Sequence, residues 1–363
     1  MNPKLTLFAL LATTSTQALA YETNDFPWNE YHPAWRVLTG MPSAYKDVLE
    51  DVEAQFDANP SYHDTTVIWD DENGWGIPNW ESEIGWITNL QSVCPGAGGG
   101  CTKIWVTFDF FDAYISEADI VFDATQAWTL TKDTATHFSY TNGGSRPFLC
   151  TALHEMGHAM GLDHENDRYN IMGTDFTFVS TNSNTFECEI GADAMAGLTS
   201  MYSVETPGFD YGVSHWRYTG AGGNGNAYSV HARSRMLSGQ FLGGVMQYTE
   251  LPRGANGAYN VTAGSTVYAE FSLQNASTLF AVVPTRLVLS DNNLISTFDS
   301  DIGNANYSMS AGGVATVRMP VSIPATYKRS TPYFIGVIAD ANDLTPERLD
   351  NNNKVFIDRV NVQ

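Results

Sequence analysis

Hydrophobic residues recur along the chain with two different periods, and the change between them divides it. From Ser43, the residues Tyr45, Val48, Leu49, Val52 and Phe56 repeat at three and four, with Lys46, Asp47, Glu50 and Asp51 between them. This is the pattern of a helix that lays one apolar face on a sheet. Ser43 suits the N-cap and Asn59-Pro60 the stop. Trp35–Leu38, Thr65–Trp69, Lys103–Phe108 and Ile115–Asp123 are short β-branched or aromatic runs, expected as strands. Ile190–Tyr202 reads as a further helix with Ala194, Leu198 and Met201 on its apolar side. From about Val245 the period drops to two, in Thr266–Leu273, Arg286–Leu289, Val314–Met319 and Tyr333–Ile338, with turns about every ten residues. Such spacing predicts a β-sandwich. Residues 205–244, Gly- and Asn-rich from Gly220 to Asn226, are expected to form an irregular linker.

Composition adds limits. A length of 363 residues fits two domains, each with a core. Net charge is −22, from 40 acidic against 18 basic residues, which argues against nucleic acid and anionic membrane surfaces as partners. Residues 1–20 read as a secretory signal: Lys4 charges the n-region, Leu5–Ala12 is the apolar core, and Ala18-Leu19-Ala20 is the cleavage site. Tyr21, not a cysteine, follows, so no lipid anchor is indicated, and no later apolar run is long enough for a membrane span. The expectation is a secreted monomer. The four cysteines suit an oxidising destination and allow three pairings. The preferred one joins Cys94 to Cys101 around a glycine loop and Cys150 to Cys188.

One stretch carries chemistry: His154-Glu155-Met156-Gly157-His158-Ala159-Met160-Gly161-Leu162-Asp163-His164. His154 and His158 are four apart, one helical turn on one face, and can each give a nitrogen to a zinc ion. Glu155 sits beside the first ligand, where it can reach a water at the metal without ligating. Gly161 permits the positive φ with which a chain leaves a helix and returns. His164 then becomes a third ligand. Three protein ligands leave a position for water, which marks a catalytic site. Pro147 is placed for the first turn of this helix.

These residues fill every position of the HExxHxxGxxH pattern, which resembles the metzincin metallopeptidases. The resemblance implies a methionine turn beneath the metal, carried by Met172. Its separation of eight residues from His164 is similar to the matrixin branch. Ile115–Asp123 resembles the strand before the active-site helix, and Asp193–Tyr202 the closing helix of matrixin catalytic domains. Two residues depart from a single branch. Glu165 follows the third histidine as in astacins, and Thr174 stands where astacins and serralysins have tyrosine. No cysteine precedes Cys94 to act as a latency thiol, and no long prodomain is evident before the catalytic features. The segment shaping specificity should be about Gly173–Phe186, with Phe176 and Phe178.

Val261–Gly264, Leu273–Asn275, Asp340, Glu347, Asn351 and Asn352 resemble an Ig-like cell-adhesion-related domain of bacterial secreted proteins. The carboxylates Asp340, Asp343, Glu347 and Asp350 lack EF-hand spacing, so calcium there has no specific motif behind it. His215 and His231 have no acidic or cysteine partner at ligand spacing. The resulting expectation is an α+β metzincin-like catalytic domain over residues 21–204, a twisted sheet with active-site and closing helices. A linker over 205–244 and an all-β Ig-like sandwich over 245–363 follow. Its activity would be zinc-dependent hydrolysis of peptide bonds in protein or peptide substrates, with the sandwich free to meet a cell-surface or matrix ligand. The rival is a secreted adhesion protein whose peptidase domain is vestigial. Intact Glu155 and three intact histidines count against it.

Overall fold

The computed structural model describes residues 21–363 except 30–31, 62, 72–73, 109–111, 133–144, 166–170, 174–179, 206, 215–233, 328–329 and 350. The signal-sequence reading, Thr174, Phe176, Phe178, His215, His231 and Asp350 therefore lie outside the described residues.

The N-terminal half is built on one five-stranded sheet. Its strands are β1 (Ala34–Leu38), β2 (Thr66–Asp71), β3 (Ser82–Ile87), β4 (Gly100–Phe108) and β5 (Ala113–Asp123), in the order β2-β1-β3-β5-β4. β2, β1, β3 and β5 are mutually parallel, and β4 runs antiparallel to β5 at the edge. Helix α1 (Lys46–Asp57) forms where the three-and-four repeat predicts it, with Leu49, Val52 and Phe56 buried. It packs beside a second long helix on one core that holds Trp35, Ile84, Ile120 and Phe122 of the strands. A short α2 (Leu90–Val93) precedes the loop closed by the Cys94–Cys101 disulfide.

The second long helix, α3 (Phe148–Ala159), is buried at every position but His158. A helix apolar nearly all round belongs inside a domain, and its few polar side chains are there for a reason. Pro147 lies one residue outside the expected first turn, as an extended N-cap at φ −66°, ψ 116°. The Cys150–Cys188 disulfide ties α3 to the segment before α4 (Gly191–Tyr202), the closing helix. Between them, β8 (Ser180–Asn182) and β9 (Thr185–Glu187) form a hairpin; β6 (Trp128–Thr129) and β7 (Arg146–Pro147) form a short parallel pair before α3.

The C-terminal half is two five-stranded sheets facing one core. One contains β10 (Tyr211–Ser214), β11 (Arg235–Leu242), β12 (Val245–Glu250), β14 (Thr266–Asn275) and β17 (Gly313–Ser322). The other runs β13-β19-β18-β15-β16, with β13 (Tyr259–Val261), β15 (Ala281–Ser290), β16 (Ser300–Met309), β18 (Tyr333–Ala339) and β19 (Lys354–Val362). Phe271 and Leu273 from the first meet Leu287, Ile335 and Ile357 from the second. The linker expectation needs correction here: β10 and β11 lie within 205–244, and both pair with β14. Tyr211, Val213, Met236 and Leu237 are buried; β10 is anchored by β14, distant in sequence, and β11 by β14 as well as by its neighbour β12.

The two halves meet through polar contacts around α4. Asn352 donates to Glu189 (3.0 Å) and Asp210 (2.9 Å), Gln274 accepts from the Ala192 amide (2.9 Å), and Arg348 donates to Ala58 O (2.6 Å). The described carboxylates around Asp340 are engaged within the C-terminal half. Asp340 accepts the Leu344 and Thr345 amides, and Glu347 accepts the Tyr211 amide and the Asn353 side chain. No helix among the described residues is long and apolar enough to cross a membrane.

Candidate active site

Helix α3 presents His154 and His158 one turn apart, and the chain must then reverse to bring in His164. The reversal is a C-cap: Gly161 takes φ +94°, its amide donates to His158 O, and the Leu162 amide donates to Gly157 O. A side chain at Gly161 would also crowd Phe26 O at 3.2 Å. The free carbonyls at the helix end are met by aromatic donors: Trp28 Nε1 reaches Ala159 O (2.8 Å) and the Tyr202 hydroxyl reaches Met160 O (2.6 Å). Residues from both ends of the N-terminal half thus hold one helix end in place.

The three imidazoles converge. Their Nε2 atoms lie 3.1 Å (His154–His158), 3.1 Å (His154–His164) and 3.2 Å (His158–His164) apart. The tautomers follow from chemistry. His154 Nδ1 lies 2.6 Å from Ile171 O and His158 Nδ1 lies 2.7 Å from Leu162 O. A carbonyl only accepts, so both Nδ1 atoms carry the proton and both Nε2 atoms keep a lone pair. The His154 and His158 Nε2 lone pairs therefore face one another and make no hydrogen bond, and with His164 Nε2 beside them the three nitrogens form a group that could bind a metal ion. Two zinc–nitrogen bonds of about 2.05 Å at a tetrahedral angle span about 3.3 Å, and the observed separations are close to that. Burial holds all three imidazoles below their ordinary pKa, His158 down to about 4, and neighbouring imidazoles add to the effect at His154 and His158; rings held neutral in this way are in the form that could bind a metal.

Glu155 is buried beside His154 and faces β4. Thr102 Oγ1 lies 2.9 Å from both Glu155 Oε2 and Glu155 O. Burial pushes the carboxyl up to about 7, against the opposing pull of Thr102 and Arg146. Gly100 makes room for it: a Cβ there would lie 2.7 Å from Glu155 Cγ. Met172 is buried under α3 at Gly157, whose missing Cβ would fall 2.3 Å from Met172 Sδ. Its turn also gives Ile171 O to His154 and Met172 O to the Glu165 amide (3.1 Å).

Comparison with known proteins adds a family. Residues 102–203 match the matrixin model of the M10 peptidases. Rabbit (Oryctolagus cuniculus) macrophage metalloelastase is 42% identical over 59 residues, 16% of this chain and 12% of that protein. This part of the chain is matrixin-like. The match reaches from β4 through the zinc-type motif and Met172 to α4, and points to a metallopeptidase. Among solved structures, the CARDB domain of a Pyrococcus furiosus protein with bound di-metal ions aligns at TM-score 0.23 and 12% identity, covering 36% of this chain and 94% of that one. A β-glucosidase from Erythrobacter marinus aligns at 0.20 and 14%, covering 29% and 14%. At such scores these likenesses bear no weight on fold.

Within the matrixin-like part, the structure brings together His154, Glu155, His158, His164, Gly161 and Met172. Cys150 and Cys188 brace α3, and Cys94 and Cys101 lie across the glycine loop. The sequence reading overlooked Thr102, Gly100, Trp28 and Tyr202. None has a local signal, because each acts on α3 from another element.

Proposed function

We propose that this chain is a secreted zinc endopeptidase, with the C-terminal half, residues 211–363, as an Ig-like accessory module. The convergence of three Nε2 atoms beside a buried carboxylate is the observation that supports it best. His154, His158 and His164 would hold the zinc, which supplies a Lewis acid and lowers the pKa of water to about 7. Thr102 fixes Glu155 through Oε2 and leaves Oε1 as the mobile base. Glu155 takes a proton from the attacking water and returns it to the departing amine. Strand β4 is the free edge of the sheet on the side of Glu155, so its main-chain groups can pair with an extended peptide.

The test is digestion of casein by the purified chain, with and without a chelator, beside Glu155→Gln. The wild type should be chelator-sensitive, and the variant should retain one zinc while losing about 10²–10⁴-fold in turnover. Tight binding to cells or matrix with no cleavage would favour the adhesion reading.

A further inference from the structure

The glycine-rich loop between Cys94 and Cys101 touches α3 at Glu155. A Cβ on Gly100 would lie 2.7 Å from Glu155 Cγ and 2.8 Å from Oε1. Thr102, two residues on, hydrogen-bonds Glu155 Oε2. The two residues of β4 that border the carboxylate are thus the chain neighbours of Cys101. Arg146 holds the loop from the other side: it donates to Gly98 O through Nη1 and to Thr151 Oγ1 through Nε (3.1 Å). Thr151 stands four residues before Glu155, on the same face of α3. Gly98 and Gly99 leave room for this guanidinium, since a Cβ on either would meet it at 2.9 and 3.2 Å. Gly99 O accepts the Asp123 amide (2.9 Å), which fixes the loop to the end of β5.

The outer part of the loop is held locally. The Gln91 side chain donates to Ala97 O (2.6 Å) and accepts the Gly96 amide (3.0 Å), and the disulfide closes the base. Four of the six residues between the cysteines are glycine, so an opened loop has much backbone freedom to regain. The two disulfides also differ in access. Cys150 and Cys188 are each 0% exposed, whereas Cys94 and Cys101 are half-buried. Exchange needs a thiolate to reach a sulfur, so a reductant in solution opens Cys94–Cys101 first.

We propose that the Cys94–Cys101 disulfide is a redox control on Glu155: the closed loop seats the carboxylate, and the reduced loop releases it. The inference rests on the peptidase reading. The co-reactant is a small thiol. Its thiolate attacks one sulfur and forms a mixed disulfide, which a second thiol then resolves. The Cys94–Cys101 bond breaks, both cysteines end as protonated thiols, and the reductant supplies two electrons and departs as its own disulfide. The reduced chain is the quiet form, and an oxidising compartment switches it on.

The test uses the full zinc-loaded chain, reduced with graded amounts of a phosphine and then reoxidised with oxidised glutathione. Alkylation should find two thiols per chain, at Cys94 and Cys101, with zinc still at one per chain. At that point kcat on a casein-derived peptide should have fallen about 10–10²-fold, with KM changed less than about 3-fold. Reoxidation should restore it. Amide hydrogen exchange should quicken from Gly99 to Thr102 and at Asp123, and stay unchanged in α4. The double variant Cys94→Ser, Cys101→Ser should match the reduced wild type and ignore the reductant. If that variant folds poorly, the reversible titration of the wild type still decides. Full activity with both thiols free would overturn the proposal. So would a rise in KM alone, which would make the loop part of the substrate edge and nothing more. An oxidised wild type without chelator-sensitive cleavage would sink the peptidase reading and the proposal with it, whereas unchanged exchange in an active chain sinks the proposal alone.

Discussion

His154 and His158 each spend one ring nitrogen on a main-chain carbonyl, Ile171 O and Leu162 O. That fixes the tautomer of both rings and leaves each Nε2 lone pair free to bind a metal beside His164. Gly157 belongs to the same construction. Its hydrogen side lies against Met172, so Gly157→Ala should displace the methionine turn and with it Ile171 O. We expect a loss of about 1–3 kcal/mol in urea unfolding, with faster zinc loss to a chelator. Thr102→Val should leave zinc content unchanged and lower kcat with little change in KM, because Glu155 loses the group that orients it and no substrate contact is removed. A KM effect alone would contradict that role.

At the scale of elements, α3 is held by what caps and crosses it. Tyr202 closes Met160 O from α4, and Trp28 closes Ala159 O from the N-terminal segment. Tyr202→Phe keeps the ring against His63 and removes the hydroxyl. The orphaned carbonyl should cost about 1–3 kcal/mol, measurable as a lowered urea midpoint with an unchanged slope. The Cys150–Cys188 disulfide closes 38 residues, a loop whose closure is worth about 4 kcal/mol in the chain-entropy model. Replacing both cysteines with alanine should lower Tm strongly, whereas the pair Cys94 and Cys101 closes only 7 residues and should matter less.

Across the whole molecule, the junction between the halves is polar and acidic. Glu189 is buried there, and burial and Asp210 push its carboxyl up to about 8; Glu187 adds to this, while Asn352 and Lys132 oppose it. The folded state therefore binds this proton more tightly than the unfolded chain does. Its stabilising share is full below about pH 4.5 and fades as pH rises through about 8. Glu189→Gln should flatten stability between about pH 5 and 8 and leave the chain more stable than wild type at pH 8, by about 1–3 kcal/mol. Thermal unfolding across that range decides it: a wild type that gains stability from pH 5 to 8 through Glu189 would refute the sign.

Sequence by itself determined the local parts. The three-and-four repeat of α1, the alternation of the late strands, and the spacing of His154, His158, Gly161 and His164 are readable because helix and strand periods are intrinsic to the backbone. Tertiary structure decided what depends on partners far away in sequence. It placed β10 and β11 in the sandwich through β14, and set Thr102 and Gly100 against Glu155. Burial and charge proximity are properties of packing, and no window of sequence contains them.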